Sequence, residues 1–441
     1  MTTQSEDSYS HRAIWRIAAP MIASGISVPL LGMVDTAVVG HLDDAVWLAS
    51  VAAGSSIFST IFLSLNFLRM GTTGIASQAM GAGDYDGSRS VLAHSSVIAV
   101  VLGLLMILLQ QPTLSAALQL INPGDNVAAA TAQYFNIRVW AAPATLLNFA
   151  AVGWFLGMQN ARAPLAIMLV INFSNIVLDL IFVPVLGMTA DGVALASLIA
   201  EHTGLLLAVY LVRQELKRYA GHWRPDELFR LASYSRLLRV NSHLFIRSVA
   251  LLFTFAFITA RGARLGELFL AANAVLMNLQ FFLSHALDGI AHAAEALCGK
   301  TYGSGDLSAL KKVIRRTLHW SLGFAALYAL VYLLTGEQII GLITDIPEVR
   351  ETAIEYLPWL IVSPLISVWS FLYDGVFVGL TRSKEMRNVM LGSLLLVFLP
   401  TWYLSTALGN HGLWLAFTAF MAARGIAMWW VSRSILESET A

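Results

Sequence analysis

The chain has 441 residues, 57% hydrophobic and only 12% charged, with Lys+Arg and Asp+Glu balanced at 27 each. Soluble domains are about a quarter charged, so this composition excludes an ordinary soluble protein and points to a polytopic helical membrane protein. Zero net charge leaves no basis for a nucleic-acid partner, and the single cysteine, Cys298, excludes an intrachain disulfide.

The first ten residues are polar, and the apolar span after them has no small-residue cleavage site. It is expected to stay as a helix rather than be removed as a signal. Twelve spans are predicted, at 14–40, 47–77, 90–110, 131–158, 163–186, 190–213, 236–262, 268–300, 313–335, 353–380, 386–409 and 411–434. Runs such as SSVIAVVLGLLMILL leave no room for the polar face that a soluble helix needs. The fold class is therefore an all-α integral membrane protein of twelve transmembrane helices.

With the N-terminus placed in the cytoplasm, most Lys and Arg residues fall on inside segments, among them Arg12, Arg16, Lys217, Arg218, Lys311, Lys312, Arg315 and Arg316. Only Arg261, Arg264 and Arg350 fall on outside segments. This positive-inside bias predicts both termini inside, in a cell inner membrane.

The chain repeats itself at one constant offset. Leu48-Ala49 and Ala52 recur as Leu270-Ala271 and Ala274, and GAGD at 81–84 as GSGD at 303–306. Tyr134 recurs as Tyr356, Gly153-x-Phe155-x-Gly157 as Gly375-x-Phe377-x-Gly379, and Gly187 as Gly409. Two parallel six-helix repeats follow: an N-terminal lobe at 1–213, a charged connector at 214–235 and a C-terminal lobe at 236–441. The connector reads equally well as an amphipathic cytoplasmic element and as a plain linker. Parallel repeats of this kind recur in transporters, where their interface can serve as the substrate path. GAGD and GSGD resemble phosphate loops only superficially. Each follows a long helix, so glycine is expected to stop that helix and aspartate to cap the next. No Walker lysine pattern accompanies them, which argues against ATP hydrolysis.

The spans also carry polar groups that lipid does not tolerate idly. In PMIASGISVPLLGMVDTAVVG, Asp35 lies near mid-span, where a charge costs at least about 2.5–3.5 kcal/mol. Pro29 lies six residues earlier and crowds the carbonyl of Gly25, predicting a bend. In the fifth span Asn172, Asn175 and Asp179 fall on one helical face, with Asn175 in reach of the Asp179 carboxyl. In the sixth span Ser197 adds a hydroxyl. Two carboxylates with amide and hydroxyl oxygens suit a proton relay or a small hard cation. Two carboxylates sharing a dry pocket cannot both ionise cheaply, so the pair would take up a proton and re-pose the Pro29 bend. The repeat places Phe257 opposite Asp35 and Thr401 opposite Asp179, so the second half lacks these carboxylates. In that half Asp374 reads either as a contact in the substrate cavity or as an interhelical bond. Arg247 with Asp288 reads as a buried ion pair. No histidine shows metal-ligand spacing, and no nucleophile constellation appears, so an intramembrane enzyme is disfavoured.

VPLLGMVDTAVVGHL at 28–42, RMGTTGIASQAMGAGD at 69–84, GWFLGMQNARAP at 153–164 and NAVLMNLQ at 273–280 together resemble the MATE (multidrug and toxic compound extrusion) family, closest to its DinF-type branch. The resemblance covers nearly the whole chain, and D-x-x-x-V-G-H-L from Asp35 is its most specific part. It implies export of varied, often cationic, drugs in exchange for protons or sodium, without a cofactor. It also implies Asp35 as the coupling carboxylate, Asn175 and Asp179 as the fifth-helix N-x-x-x-D, Ser197 where some members carry threonine, and a proline bend in the first helix. Sodium would take the oxygens of Asp35, Asn175, Asp179 and Ser197. The implied partners are small organic molecules and membrane lipids, with a single chain as the working unit. The same superfamily includes lipid-linked precursor flippases, an alternative that calls for a basic cavity.

Overall fold

A computed structural model describes residues 9–438, apart from the side chains of residues 28–30 and 438. Among the described residues, twelve helices are long and apolar enough to cross a bilayer: α1 His11–Gly40, α2 Ala45–Gly81, α3 Tyr85–Leu108, α4 Asp125–Gly157, α5 Arg162–Phe182, α6 Ala190–Leu216, α7 Leu231–Leu265, α8 Glu267–Gly303, α9 Leu307–Ile343, α10 Pro347–Gly379, α11 Ser383–Leu404 and α12 Asn410–Glu437. They correspond one to one with the predicted spans, and no strand occurs among the described residues. Leu104, Leu108, Phe173, Leu206, Leu334, Leu396 and Trp430 stand exposed on them. In water such a surface aggregates; in a bilayer it is the lipid-facing side.

The expected caps form in both halves. Asp84 accepts from the Gly87 amide and Asp306 from the Ala309 amide, each at 2.8 Å. The preceding Gly83 and Gly305 adopt φ of +70° and +73°, which a side chain would strain. The repeat extends to packing. A Cβ on Gly153 would strike the Arg69 carbonyl oxygen, and one on Gly375 the Ala291 carbonyl oxygen. Small residues thus let α4 lie against α2, and α10 against α8, backbone to backbone.

Packing divides the chain into two compact units, Ala23–Leu238 and a second made of residues 9–22 with 239–438. The sequence reading assigns residues 9–22 to the first lobe. They group with the second because Ile14, Ile17 and Ala18 are buried, Trp15 packs edge-on against Trp320 at 5.0 Å, and Arg316 donates to the Tyr9 carbonyl. The first unit is centred on Phe58, Tyr134, Phe135, Val183 and Val193, with Phe58 and Phe135 stacked at 4.9 Å. The second is centred on Tyr332, Tyr356, Leu360, Phe398, Trp414 and Phe420.

The connector is not a plain linker. Arg89 on α3 donates to the carbonyls of Leu216 and Tyr219, at 2.9 and 3.0 Å. The His222 amide donates to Asp86 at 2.7 Å, and the Ser90 hydroxyl to Glu227 at 2.9 Å. These bonds strap residues 216–227 along the start of α3.

Candidate cation site

The helical spacing of Asn172, Asn175 and Asp179 turns all three into the first unit, where each is buried. Their partners differ from the sequence expectation. The Asn175 amide does not turn to Asp179 one turn along its own helix. It donates across to Ser197 Oγ on α6, at 3.3 Å. Asn172 donates to Ser27 Oγ on α1 at 2.8 Å, and Ser27 donates onward to the Ser24 carbonyl at 2.7 Å. Neighbouring helices bring a donor or acceptor to the right depth, which is how amides join helices in an apolar medium.

Asp35 on α1 and Asp179 on α5 meet carboxyl to carboxyl. No protein N–H or hydroxyl reaches Asp35 Oδ1, either Asp179 oxygen or Asn175 Oδ1, all of them buried. Two carboxyl groups in contact can bond only when one carries a proton. The same unsatisfied oxygens, all hard donors, fit a small cation such as sodium. The residues present are thus matched to either ion. Pro29 lies within the helical backbone of α1, but its side chain, and with it the predicted bend, lies outside the described residues.

Three further groups complete this constellation, and sequence reasoning did not single them out for it. Arg138, at the middle of α4, faces Asp35 and Asp179. Its guanidinium lies over the Phe58 ring at 5.7 Å, and its Nε and Nη1 make no hydrogen bond. Tyr134, one turn earlier on α4, shares a hydrogen bond with Ser55 Oγ at 3.2 Å. Glu201 lies on α6, one turn beyond Ser197. The signal for Arg138 and Glu201 was present, since any ionisable residue inside a span is a site candidate.

The second unit is built differently at the equivalent depth. Phe257, the counterpart of Asp35, packs edge-on against Trp402 at 4.9 Å and Phe398 at 5.4 Å. Asp374 on α10 is a hub. Arg424 on α12 donates to its Oδ2 at 2.8 Å, and Arg247 on α7 donates to the same oxygen. Of the two sequence readings of Asp374, the geometry is that of an interhelical bond, with Arg247 as one of its two donors.

The MatE family profile matches residues 20–181 and 244–404, one block in each half. The chain is 42% identical to DNA damage-inducible protein F of Escherichia coli K12, over 95% of this chain and 91% of that one. It is 24% identical to a probable multidrug resistance protein NorM of Rhizobium meliloti, covering 97% and 94% of the two chains. An outward-facing multidrug-resistance MATE transporter of the MOP superfamily superposes with a TM-score of 0.90 at 19% identity, over 100% of this chain and 99% of that one. Family profile, close relative and fold agree with the motifs: the chain is a multi-pass membrane protein belonging to the MATE family of transporters, in the branch of DNA damage-inducible protein F.

Proposed function

We propose that this protein is a secondary active exporter of organic, often cationic, drugs, driven by protons moving inward through the Asp35–Asp179 pair. The observation that carries the reading is the contact between these carboxyls, whose buried oxygens no protein donor satisfies. A proton shared by the pair repairs that defect, and its loss restores it. Protonation therefore changes how α1 is held against α5, and a change that depends on ligation is what alternating access requires. Asn172, Asn175 and Ser197 position the pair. Sodium is the alternative ion for the same oxygens. The inner membrane, with both termini inside, is the proposed location.

The flippase alternative needs basic groups open to an anionic head group. Arg247 and Arg424 are instead drawn onto Asp374, which weighs against it.

The deciding experiment is drug transport in proteoliposomes, with pH and sodium gradients imposed separately, for wild type and Asp35→Asn. Wild-type uptake driven by the pH gradient alone, lost in the variant, is the expected result. Gradient-dependent transport that survives Asp35→Asn removes the pair from the coupling role.

A further inference from the structure

Glu201 is a carboxylate at mid-span in the first unit that the coupling pair does not use. It sits mid-way along α6 and is half-buried. It has a built environment. Asn148 on α4, itself buried, donates from Nδ2 to Glu201 Oε2 at 3.0 Å and to the Glu201 carbonyl at 3.1 Å. Thr145, one turn earlier on α4 and also buried, faces the same carboxyl, with its hydroxyl donating to the Ala141 carbonyl at 3.2 Å. The charged groups that reach it are Arg138 from α4 and His202 on its own helix. Asn148 and Thr145 are neutral, and neither offsets a full charge. Arg138 faces Glu201 without a hydrogen bond to it, and faces Asp35 and Asp179 as well. One cation is thus set before three carboxyl groups.

We propose that Glu201, held by Asn148, is a second proton-binding site of the first unit, one helical turn from Ser197 toward the Arg213 end of α6. A turn is about 5.4 Å, so Glu201 follows the Asn175–Ser197 bond as the next acid along the helix. By the proposed orientation that direction is inward. When the aspartate pair releases its proton, an O–H bond breaks there and one forms at a Glu201 oxygen. The negative charge passes from Glu201 to the pair, and Arg138 faces it in both states. This role in transport rests on the coupling function proposed above; the existence of the site does not.

The test is an infrared pH titration of the protein in lipid nanodiscs, reading the C=O stretch of protonated carboxyl groups. Wild type is compared with Glu201→Gln and with the double variant Asp35→Asn, Asp179→Asn. The expected result is loss of one titrating band in Glu201→Gln and its retention in the double variant. Unchanged band intensity in Glu201→Gln overturns the proposal. If the double variant loses no band, the coupling reading fails while the Glu201 site stands. Should Glu201→Gln not fold, Asn148→Leu, which removes the donor to the Glu201 carboxyl, decides: a shifted titration of one carboxyl band relative to wild type supports the site, and an unshifted set of bands overturns it.

Discussion

Asn175 Nδ2 donates to Ser197 Oγ across the α5–α6 interface at 3.3 Å, and both residues are buried. Ser197→Ala removes the acceptor and leaves an amide N–H in an apolar interior, at a cost of about 1–3 kcal/mol. Ser197→Thr keeps the hydroxyl and should retain most of the stability. Thermal unfolding of the two variants in detergent separates them. Equal melting temperatures would mean that the bond contributes little.

Asp374 carries the strongest expected stability effect. Asp374→Asn removes the carboxylate that both Arg247 and Arg424 contact. Breaking a buried ion pair by removing one partner costs about 3–5 kcal/mol. Arg424→Gln should cost less than Asp374→Asn, because Arg247 still balances the aspartate. Chemical or thermal unfolding gives the order. A reversed order would show that Asp374 is not the hub.

The doubled glycine contact predicts paired behaviour. Gly153→Ala drives a methyl into the Arg69 carbonyl and Gly375→Ala into the Ala291 carbonyl. Overpacking of this kind costs about 1–3 kcal/mol, and the two losses should be similar because the geometries repeat. Melting temperatures check this directly.

The connector strap should loosen in acid. The Ser90 hydroxyl, and then the Arg224 guanidinium, hold Glu227 below the usual glutamate range near 4.5. A carboxylate lowered in the folded state contributes stability that is fully present above its unfolded value and is lost as pH falls through the folded one. Protection factors against hydrogen exchange across residues 216–227, taken relative to the intrinsic rate at each pH, should therefore fall below about pH 4.5. Ser90→Ala should already exchange faster at neutral pH and respond less to acid.

The spans, their number and the repeat were legible because hydropathy and a constant offset are properties of the chain alone. The caps at Asp84 and Asp306 were legible because a glycine stop beside an aspartate cap is local chemistry. The face shared by Asn172, Asn175 and Asp179 followed from helical periodicity. Periodicity says which residues turn inward together, but not what meets them. Hence helical spacing pairs Asn175 with Asp179 one turn away, whereas its partner, Ser197, lies on another helix. Arg138 and Asp35 lie far apart in sequence, and nothing local joins them. The grouping of residues 9–22 with the second half was hidden for the same reason, since a long helix gives no sign of where its packing partner changes.

The nest of Phe257, Phe398 and Trp402 occupies in one repeat the place that carboxyl groups hold in the other. Substitutions there are expected to register as softened packing with transport per folded molecule intact, whereas those at Asp35 or Asp179 should leave a sound but idle molecule. A duplicated frame in this way separates robustness from work: matching positions hold packed rings in one copy and a carboxyl pair in the other.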